Sequence, residues 1–228
     1  MSERMIIAVL GGTGAEGGGL AFRWAMKGHD VIIGSRSADK AIAAAAELNA
    51  LLPERHVRGA ANVDAASEAQ IVVLAVPYAA QLSTAQEVSV QLDGKILVDV
   101  TVPLAPPVDR VKLPNGESAV LALQRALGAG VKVVSAFQNV SATHLKDPGH
   151  PIDCDVLVCG DDRDAREQVI GLARDAGLRA LHAGALANSA AVEAMTSVLI
   201  AINKHYKVRA SGVRITGVAQ HDPVSGKR

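Results

Sequence analysis

Short, mostly apolar runs alternate along the chain with longer segments that have the apolar period of a helix. Such a run predicts a strand buried on both faces, as in a parallel sheet. These runs occupy residues 5–10, 30–34, 71–76, 95–100 and 131–136. Helical segments follow most of them, at residues 17–27, 37–50, 78–90 and 117–128. Ser37 and Asn62 are residue types that cap helices, so each is expected to begin one. The alternation predicts an α/β fold with a doubly wound parallel sheet.

Two turn-rich stretches interrupt this pattern. Residues 101–116 contain four prolines and predict a loop, and residues 147–153 (DPGHPID) predict a boundary. The elements expected beyond the boundary are a strand at 156–159, a helix at 162–176, a short strand and a long helix at 189–206. We therefore expect a doubly wound (Rossmann) domain at residues 1–148. A small C-terminal helical portion, residues 149–228, is expected to pack on it.

Composition excludes several classes of function. Lys and Arg together number 23, as do Asp and Glu, so the net charge is zero and there is no global basic surface for nucleic acid. No apolar run approaches 18 residues, so no membrane span is expected. Cys154 and Cys159 lie five positions apart, which on a strand points them to opposite faces and makes a disulfide unfavourable. A reducing, cytoplasmic location is consistent with this.

A glycine-rich loop directly follows the first predicted strand. Gly12, Gly14 and Gly17 satisfy the G-x-G-x-x-G pattern of dinucleotide-binding proteins, and the loop lies between a strand and a helix, as that site requires. The first glycine is expected to form the tight turn, the second to let the backbone approach a pyrophosphate, and the third to bring helix and strand together. The carboxylate of Glu16 is expected to point outward, because it would otherwise repel the pyrophosphate.

The end of the second predicted strand indicates which nicotinamide cofactor binds. An NAD site has an acidic residue about 20 positions after the glycine loop, where it binds the ribose hydroxyls. This chain has Gly34-Ser35-Arg36-Ser37 at that position, without an acid. Arg36 can bind a 2′-phosphate, Ser35 can donate a hydroxyl hydrogen bond, and Lys40 lies one helical turn further on. These residues predict NADP(H).

Other phosphate-binding and catalytic motifs are absent from the sequence. A Walker loop requires a lysine after its last glycine, and Gly18 occupies that position. A short-chain dehydrogenase requires Tyr-x-x-x-Lys, and neither tyrosine of this chain, Tyr78 or Tyr206, has a lysine four positions later. There is no G-x-S-x-G elbow and no H-E-x-x-H motif. The seven histidines have no recognisable ligand spacing, so no metal site is expected.

Six stretches of the chain resemble the F420-dependent NADP oxidoreductases. They are VLGGTGAEGGGLA (9–21), GHDVIIGSRSADKA (28–41), LAVPY (74–78), VVSAFQNVSA (133–142), VCGDD (158–162) and HAGALANS (182–189). They are spread over most of the chain, so the resemblance extends beyond the glycine loop. It implies a compact dinucleotide-binding domain, a small C-terminal portion, and hydride transfer between NADP(H) and the deazaflavin coenzyme F420.

The resemblance also implies roles for individual residues. The residues expected to line the pyrophosphate are Thr13, Gly14, Ala15 and Glu16. The residues expected to hold the 2′-phosphate are Ser35, Arg36 and Lys40. Those also expected to contact the cofactor are Val76, Pro77, Ala80 and Val102, together with Ala142, which is expected beside the nicotinamide. Gln138 and Asn139 stand where the family can have His-Thr beside the deazaflavin, and they are expected to contact that second ring. No catalytic acid or base is expected, because the protein needs only to position the two cofactors.

Two features of the C-terminal portion predict further contacts. The helix at 189–206 has apolar residues at helical spacing, which together with the resemblance predicts a homodimer. They are Val192, Met195, Val198, Leu199 and Ile202. The segment after this helix is basic, and F420 has an anionic tail of a phosphodiester and glutamates. Ser211 and Arg214 are therefore expected to contact F420 through a salt-sensitive attraction. Residues 227–228 (Lys-Arg) are expected to form a solvated tail.

Two alternatives stay open on these residues. An NADPH-dependent reductase of another acceptor, such as a flavin, a ferric chelate or an imine, would have the same glycine loop. A non-catalytic module that senses NADP(H) would also bind the dinucleotide, but it would oxidise NADPH with none of these acceptors.

Overall fold

The apolar runs contribute strands to one eight-stranded sheet in the computed structural model, which describes residues 4–54 and 57–218. Its strands are β1 (Ile6–Leu10), β2 (Asp30–Ser35), β3 (Val57–Ala61), β4 (Ile71–Leu74), β5 (Ile96–Asp99), β6 (Lys132–Ser135), β7 (Asp155–Gly160) and β8 (Arg179–His182). Their order across the sheet is β3-β2-β1-β4-β5-β6-β7-β8. Neighbouring strands are parallel except β6 and β7, which are antiparallel.

Helices cover both faces of this sheet. They are α1 (Ala15–Met26), α2 (Ala38–Asn49), α3 (Asn62–Glu68), α4 (Tyr78–Glu87), α5 (Ala119–Leu127), α6 (Arg163–Asp175) and α7 (Ser189–Tyr206). Alternate side chains of β1 point to opposite faces. Ile7 and Val9 belong to a core with α1, α2 and α6, whereas Ala8 and Leu10 belong to a core with α3, α4 and α5. The predicted doubly wound α/β class is confirmed.

The chain changes its direction of winding at β1, which lies between β2 and β4. After the edge strand β3, it crosses to β4 on the other side of β1. A crevice outside the carboxyl ends of β1 and β4 is therefore the switch point where open α/β sheets bind ligands. The carboxyl ends of β5 and β6 lie along the same edge, because these strands are parallel to β4.

The chain after residue 148 continues the same sheet. β7 pairs with β6 through Val134↔Gly160 and Ser135↔Cys159, and β8 pairs with β7. This portion therefore contributes two strands as well as the helices α6 and α7, and the domain division at residue 148 stays a prediction. Cys154 precedes β7 and Cys159 lies within it, and both are buried free thiols, as expected.

Three local features differ from expectation. β3 was not predicted, because its sequence VRGAA lacks an apolar run and forms an edge strand. Ser37 is the N-cap residue of α2, but its side chain makes no capping hydrogen bond. Asn62 is the first residue of α3 rather than its cap, and its Nδ2 donates to Glu87 Oε2 at 3.1 Å. A tertiary hydrogen bond thus uses the Asn62 side chain for a purpose other than helix capping.

Among the described residues, the segment Leu186–Tyr206 is long and apolar enough to cross a membrane, judged by length and composition. The sequence-based expectation considered uninterrupted apolar runs, whereas this segment includes Glu193 and Lys204. Glu193 is buried in the protein and accepts hydrogen bonds from Ser118 Oγ (2.6 Å) and Ala119 N–H (2.9 Å). A core helix of a soluble protein passes the same test, so a single such helix is weak support for a membrane span.

Candidate functional site

The glycine loop joins β1 to α1 in a tight turn. Gly11 has a φ of +85°, a left-handed conformation that favours glycine, and its N–H donates to Gly34 O at 3.1 Å. Gly11 therefore forms the turn that was expected of Gly12, which corrects that prediction. Gly12 is required for close packing instead, because a Cβ there would lie 2.6 Å from Ile33 Cδ1. Sequence spacing could not separate these roles in two adjacent glycines.

The amino end of α1 is open to solvent. Gly14 is its N-cap residue, and Thr13, Gly14 and Ala15 are exposed. A Cβ on Gly17 would lie 2.9 Å from Gly11 O, so the third glycine brings the helix against the loop, as predicted. The first-turn N–H groups and the partial positive charge of the helix end attract an anion. The loop therefore fits the pyrophosphate of a dinucleotide.

Glu16 lies in the first turn of α1 and does not point fully into solvent, contrary to expectation. The residue is partly exposed, but its Oε1 is buried without a hydrogen-bond partner within residues 4–54 and 57–218. This burial raises the pKa of Glu16 to about 8. At neutral pH the side chain is therefore mostly protonated, which removes the charge that would repel a pyrophosphate.

The predicted 2′-phosphate site lies at the carboxyl end of β2. Ser35 is the last residue of β2, and its Oγ accepts a hydrogen bond from Ser37 N–H at 3.2 Å. Arg36 and Lys40 are exposed beside the start of α2, and no carboxylate of the described part of the chain pairs with them. Two cations that have no ion-pair partner in the described ranges, at a strand end that has no acid, fit the 2′-phosphate of NADP(H) better than a free ribose hydroxyl.

The other residues predicted to contact the cofactor follow the carboxyl ends of β4, β5 and β6. The five are Val76, Pro77, Ala80, Val102 and Ala142. Val76 lies against the glycine loop, since a Cβ on Gly11 would be 2.8 Å from Val76 Cγ1. The N–H of Ala80, in the first turn of α4, donates to Pro77 O at 2.8 Å. Because the three strand ends share one edge, the structure brings these residues to the side of the sheet that holds the loop.

Comparison with known proteins identifies the family. The model of the family described as NADP oxidoreductase, coenzyme F420-dependent, matches residues 6–103. The F420-dependent NADP reductase of Methanocaldococcus jannaschii is 43% identical over 223 residues, which cover 94% of this chain and 99% of that protein. The chain belongs to the F420-dependent NADP oxidoreductase family.

Further comparisons agree with this family. The F420-dependent NADP reductase of Methanothermobacter marburgensis is 40% identical over 224 residues, which cover 95% of this chain and 100% of that protein. A crystal structure of a candidate F420-dependent NADP reductase from Arthrobacter sp. FB24 is 31% identical and has a TM-score of 0.78. The match covers 93% of this chain and 99% of that one.

In this member of the F420-dependent NADP oxidoreductase family, Gln138 and Asn139 are both buried. Gln138 Nε2 donates to Asp99 O and to Ser135 Oγ, each at 2.8 Å. Asn139 Nδ2 donates to Asp155 O at 2.7 Å. The amide oxygens of both side chains have no hydrogen-bond partner in the described ranges. The nitrogens therefore link neighbouring strands, and the oxygens are buried without a partner rather than open to a ligand.

A buried polar cluster at the end of β5 was missed by sequence reasoning. Gln81 Nε2 donates to the Asp99 carboxylate and to Thr101 Oγ1 (2.7 Å), and Thr101 N–H donates to Asp99 Oδ1 at 2.8 Å. Burial raises the pKa of Asp99 to about 7, although these hydrogen bonds act in the opposite direction. The signal available in the sequence was Asp99 itself, a polar residue that interrupts the apolar run KILVDV. The cluster attaches the loop that contains Val102 to α4.

Ser211 and Arg214 lie beside the amino end of β7. Arg214 Nη1 is 3.1 Å from Asp153 Oδ1 and 3.5 Å from Asp155 Oδ1, so its charge is largely compensated. β7 is antiparallel to β6, so its amino end lies on the side of the sheet where β6 ends. The placement agrees with an acceptor site there, but the compensation weakens the expected attraction. The predicted solvated tail, residues 227–228, lies outside the described residues.

Proposed function

We propose that this chain transfers hydride between NADP(H) and coenzyme F420. The main support is that relatives named F420-dependent NADP reductases are 43% and 40% identical to it over nearly the whole length of both chains. The open glycine loop and the two cations after β2, which have no ion-pair partner in the described part of the chain, are suitable groups for binding NADP(H).

The nicotinamide and the deazaflavin supply the hydride chemistry when they are bound. The residues proposed to hold NADP(H) by its phosphates are Gly12, Thr13, Gly14, Ala15, Glu16, Gly17, Ser35, Arg36 and Lys40. The residues proposed to support the nicotinamide are Val76, Pro77, Ala80, Val102 and Ala142. None of the latter is ionisable, which is consistent with orienting the ring and excluding water rather than with acid–base catalysis.

We further propose that Gln138, Asn139, Ser211 and Arg214 form the acceptor side. The amide oxygens of Gln138 and Asn139 have no hydrogen-bond partner among the described residues, but both are buried, so the side chains must shift before they accept a hydrogen bond from a ring N–H. Arg214 is 37% exposed and can still attract the anionic F420 tail, although two carboxylates weaken this attraction.

Steady-state oxidation of NADPH with different acceptors tests the proposed reaction. We expect one F420 to be reduced per NADPH oxidised, at a rate well above those with FMN, a ferric chelate or a cyclic imine. Turnover with one of these acceptors but not with F420 would assign the chain to the alternative reductases. NADPH binding without turnover with any acceptor would instead make it an NADP(H)-sensing module.

We also propose that the chain forms a homodimer through α7. Of the predicted apolar stripe, Val192 and Leu199 are buried within the protein, whereas Val198 and Ile202 are 44% and 37% exposed. An exposed apolar stripe is stabilised by a partner surface. Light scattering should give twice the chain mass of 23.5 kDa, and Ile202→Asp should shift it toward the monomer. A monomeric unmodified protein at micromolar concentration would overturn this proposal.

The two parts of the chain divide these tasks in our proposal. Residues 1–148 form the dinucleotide-binding domain, because they include the glycine loop and the cations after β2. Residues 149–228 contribute contacts to the acceptor and to the partner subunit. A cytoplasmic location is consistent with the two buried free thiols.

A further inference from the structure

Three potential metal ligands converge in the loop after β6, apart from the glycine loop. The ligand atoms of His144, Asp147 and His150 all lie within 4.8 Å of one another. Two backbone turns bring them together, because Asp147 N–H donates to His144 O (3.1 Å) and His150 N–H donates to Asp147 O (3.2 Å). The spacing was not recognisable in the sequence because successive turns, rather than one helix face, align these side chains.

Local contacts restrain the three side chains. The imidazole rings of His144 and His150 stack, with centroids 3.7 Å apart and an interplanar angle of 17°. The stack holds the two rings side by side at the edge of the loop. Asp147 Oδ1 accepts a hydrogen bond from Gly149 N–H at 3.1 Å, which restrains the carboxylate, as hydrogen bonds to metal ligands do in known metal sites.

Arg23 on α1 restrains the backbone of this loop. Its Nη2 donates to His144 O and Asp147 O, both at 3.0 Å, and its Nε donates to Leu145 O at 2.8 Å. The backbone of two ligand residues is thus held in place without a metal, which lowers the entropic cost of forming a site. The positive charge of Arg23 opposes a nearby cation, and Asp147 offsets part of this effect.

A cavity of about 50 Å³ adjoins both imidazoles. Ser141, Asp153 and Ser211 also line it. One water needs about 10–15 Å³ of such volume, so the cavity has room for water molecules bound to a metal. The cavity thus provides an independent indication of space for a small hydrated ligand beside the two histidines.

We propose that His144, Asp147 and His150 bind a divalent transition-metal ion such as Zn²⁺, with water completing the coordination. Two imidazoles and a carboxylate are ligands that zinc accepts, whereas Mg²⁺ and Ca²⁺ prefer oxygen alone. An ion equidistant from three atoms 4.8 Å apart lies about 2.8 Å from each. The side chains therefore need to move inward by about 1 Å or less to reach zinc–nitrogen distances of about 2.0–2.1 Å. The stacked imidazoles also need to rotate, because the lone pairs of two parallel rings do not converge on one ion.

The bound ion would restrain the loop between β6 and β7, which Arg23 already links to α1. Leu145 already packs closely on this helix, since a Cβ on Gly19 would lie 2.4 Å from Leu145 Cβ. Ala142, at the start of the same loop, is a proposed nicotinamide contact. The ion is therefore expected to stabilise this loop and to take no part in hydride transfer, so the site is independent of the proposed reaction.

Titration of the untagged full-length protein with Co²⁺ tests the site, because Co²⁺ bound to nitrogen ligands absorbs visible light and is displaced by Zn²⁺. We expect one Co²⁺ per chain. His150→Ala and Asp147→Asn should each weaken binding by at least about tenfold, whereas His205→Ala, a control at an exposed histidine on α7, should leave it unchanged. No binding at millimolar Co²⁺, or equal affinity in His150→Ala and the unmodified protein, would overturn the proposal.

Thermal unfolding supplies a second measurement. Zn²⁺ should raise the Tm of the unmodified protein and of His205→Ala, but not that of His150→Ala, because an ion stabilises only the state that binds it. His150 and Asp147 are exposed, so the metal-free Tm of their variants should match that of the unmodified protein. If the metal-free Tm of His150→Ala is lower than that of the unmodified protein, the Zn²⁺ response of Asp147→Asn, which conserves the shape of the side chain, is the test of the site. An equal Zn²⁺-induced rise in Asp147→Asn would contradict the site.

Discussion

At the scale of single residues, Arg36 is the side chain best placed to select NADP(H). It is exposed after β2, where the sequence has no acid, and it has no ion-pair partner within the described ranges. A hydrogen bond to a charged group contributes about 1.5–3 kcal/mol, which corresponds to about 10- to 100-fold in affinity. Arg36→Asp should weaken NADPH binding by this factor and favour NADH, as measured by fluorescence titration. Arg163→Asp, at the exposed start of α6, is the matched control and should change neither affinity.

Glu16 makes a second residue-scale prediction, concerning pH. Burial raises the pKa of Glu16 to about 8, so the side chain is neutral below this pH and negatively charged above it. The charged form, in the first turn of α1, repels a pyrophosphate. NADPH affinity of the unmodified protein should therefore fall by about three- to tenfold as pH rises from 7 to 9, a range expected for like charges near a protein surface. Glu16→Gln should abolish most of this fall. Parallel pH profiles for the two proteins would contradict the assignment.

At the scale of secondary-structure elements, the packing of α1 on the glycine loop depends on Gly17. A Cβ there would lie 2.9 Å from Gly11 O and 3.0 Å from Ala75 Cβ, so the helix must shift to accommodate alanine. Gly17→Ala should reduce the free energy of unfolding by about 1–3 kcal/mol, as for other overpacked sites. Gly171→Ala, within α6, meets no atom within 4 Å and should raise it by about 0.5–1 kcal/mol. Urea unfolding measures the free energy of unfolding of both variants. Equal changes in the two variants would show that a Cβ at Gly17 is accommodated without loss of stability.

At the scale of the whole molecule, buried Asp99 makes folding stability depend on pH. Its pKa is raised to about 7 by burial, with a further contribution from Glu193, so the folded protein retains a proton that the unfolded chain loses near pH 4. Stability should therefore decrease as pH rises from about 4 to about 7, by up to about 1.4 kcal/mol per pH unit for this one group. Buried Glu16 and Glu193, whose pKa values are also raised, add slopes of the same sign.

Asp99→Asn isolates the contribution of this residue. The variant keeps the size of the side chain, and the Gln81 amide can rotate to accept the new hydrogen bond. Urea unfolding between pH 5 and 7 should show that the free energy of unfolding falls less steeply with pH in Asp99→Asn than in the unmodified protein. The two slopes should differ by the uptake of about one proton. Equal slopes would mean that Asp99 is already ionised in the folded state at pH 5.

The sequence alone determined the features that depend on local spacing. Apolar runs such as residues 5–10 and 71–76 predicted buried strands, because a short continuous apolar run between turn residues is typical of a strand covered on both faces. The glycine pattern between a strand and a helix predicted the dinucleotide loop, and Ser35-Arg36 at the end of a strand predicted the preference for NADP(H). These signals are short-range, and the structure keeps each of them at the place that the sequence indicated.

Only the tertiary structure decided how distant segments share space. The burial of Glu16 Oε1, the cluster of Gln81, Asp99 and Thr101, and the burial of Gln138 depend on which helices and strands pack together. The edge strand β3 likewise forms because β2 offers it a partner, rather than because of its own apolar pattern. In each case the deciding free energy comes from desolvation and contact between residues far apart in sequence, which spacing along the chain does not record.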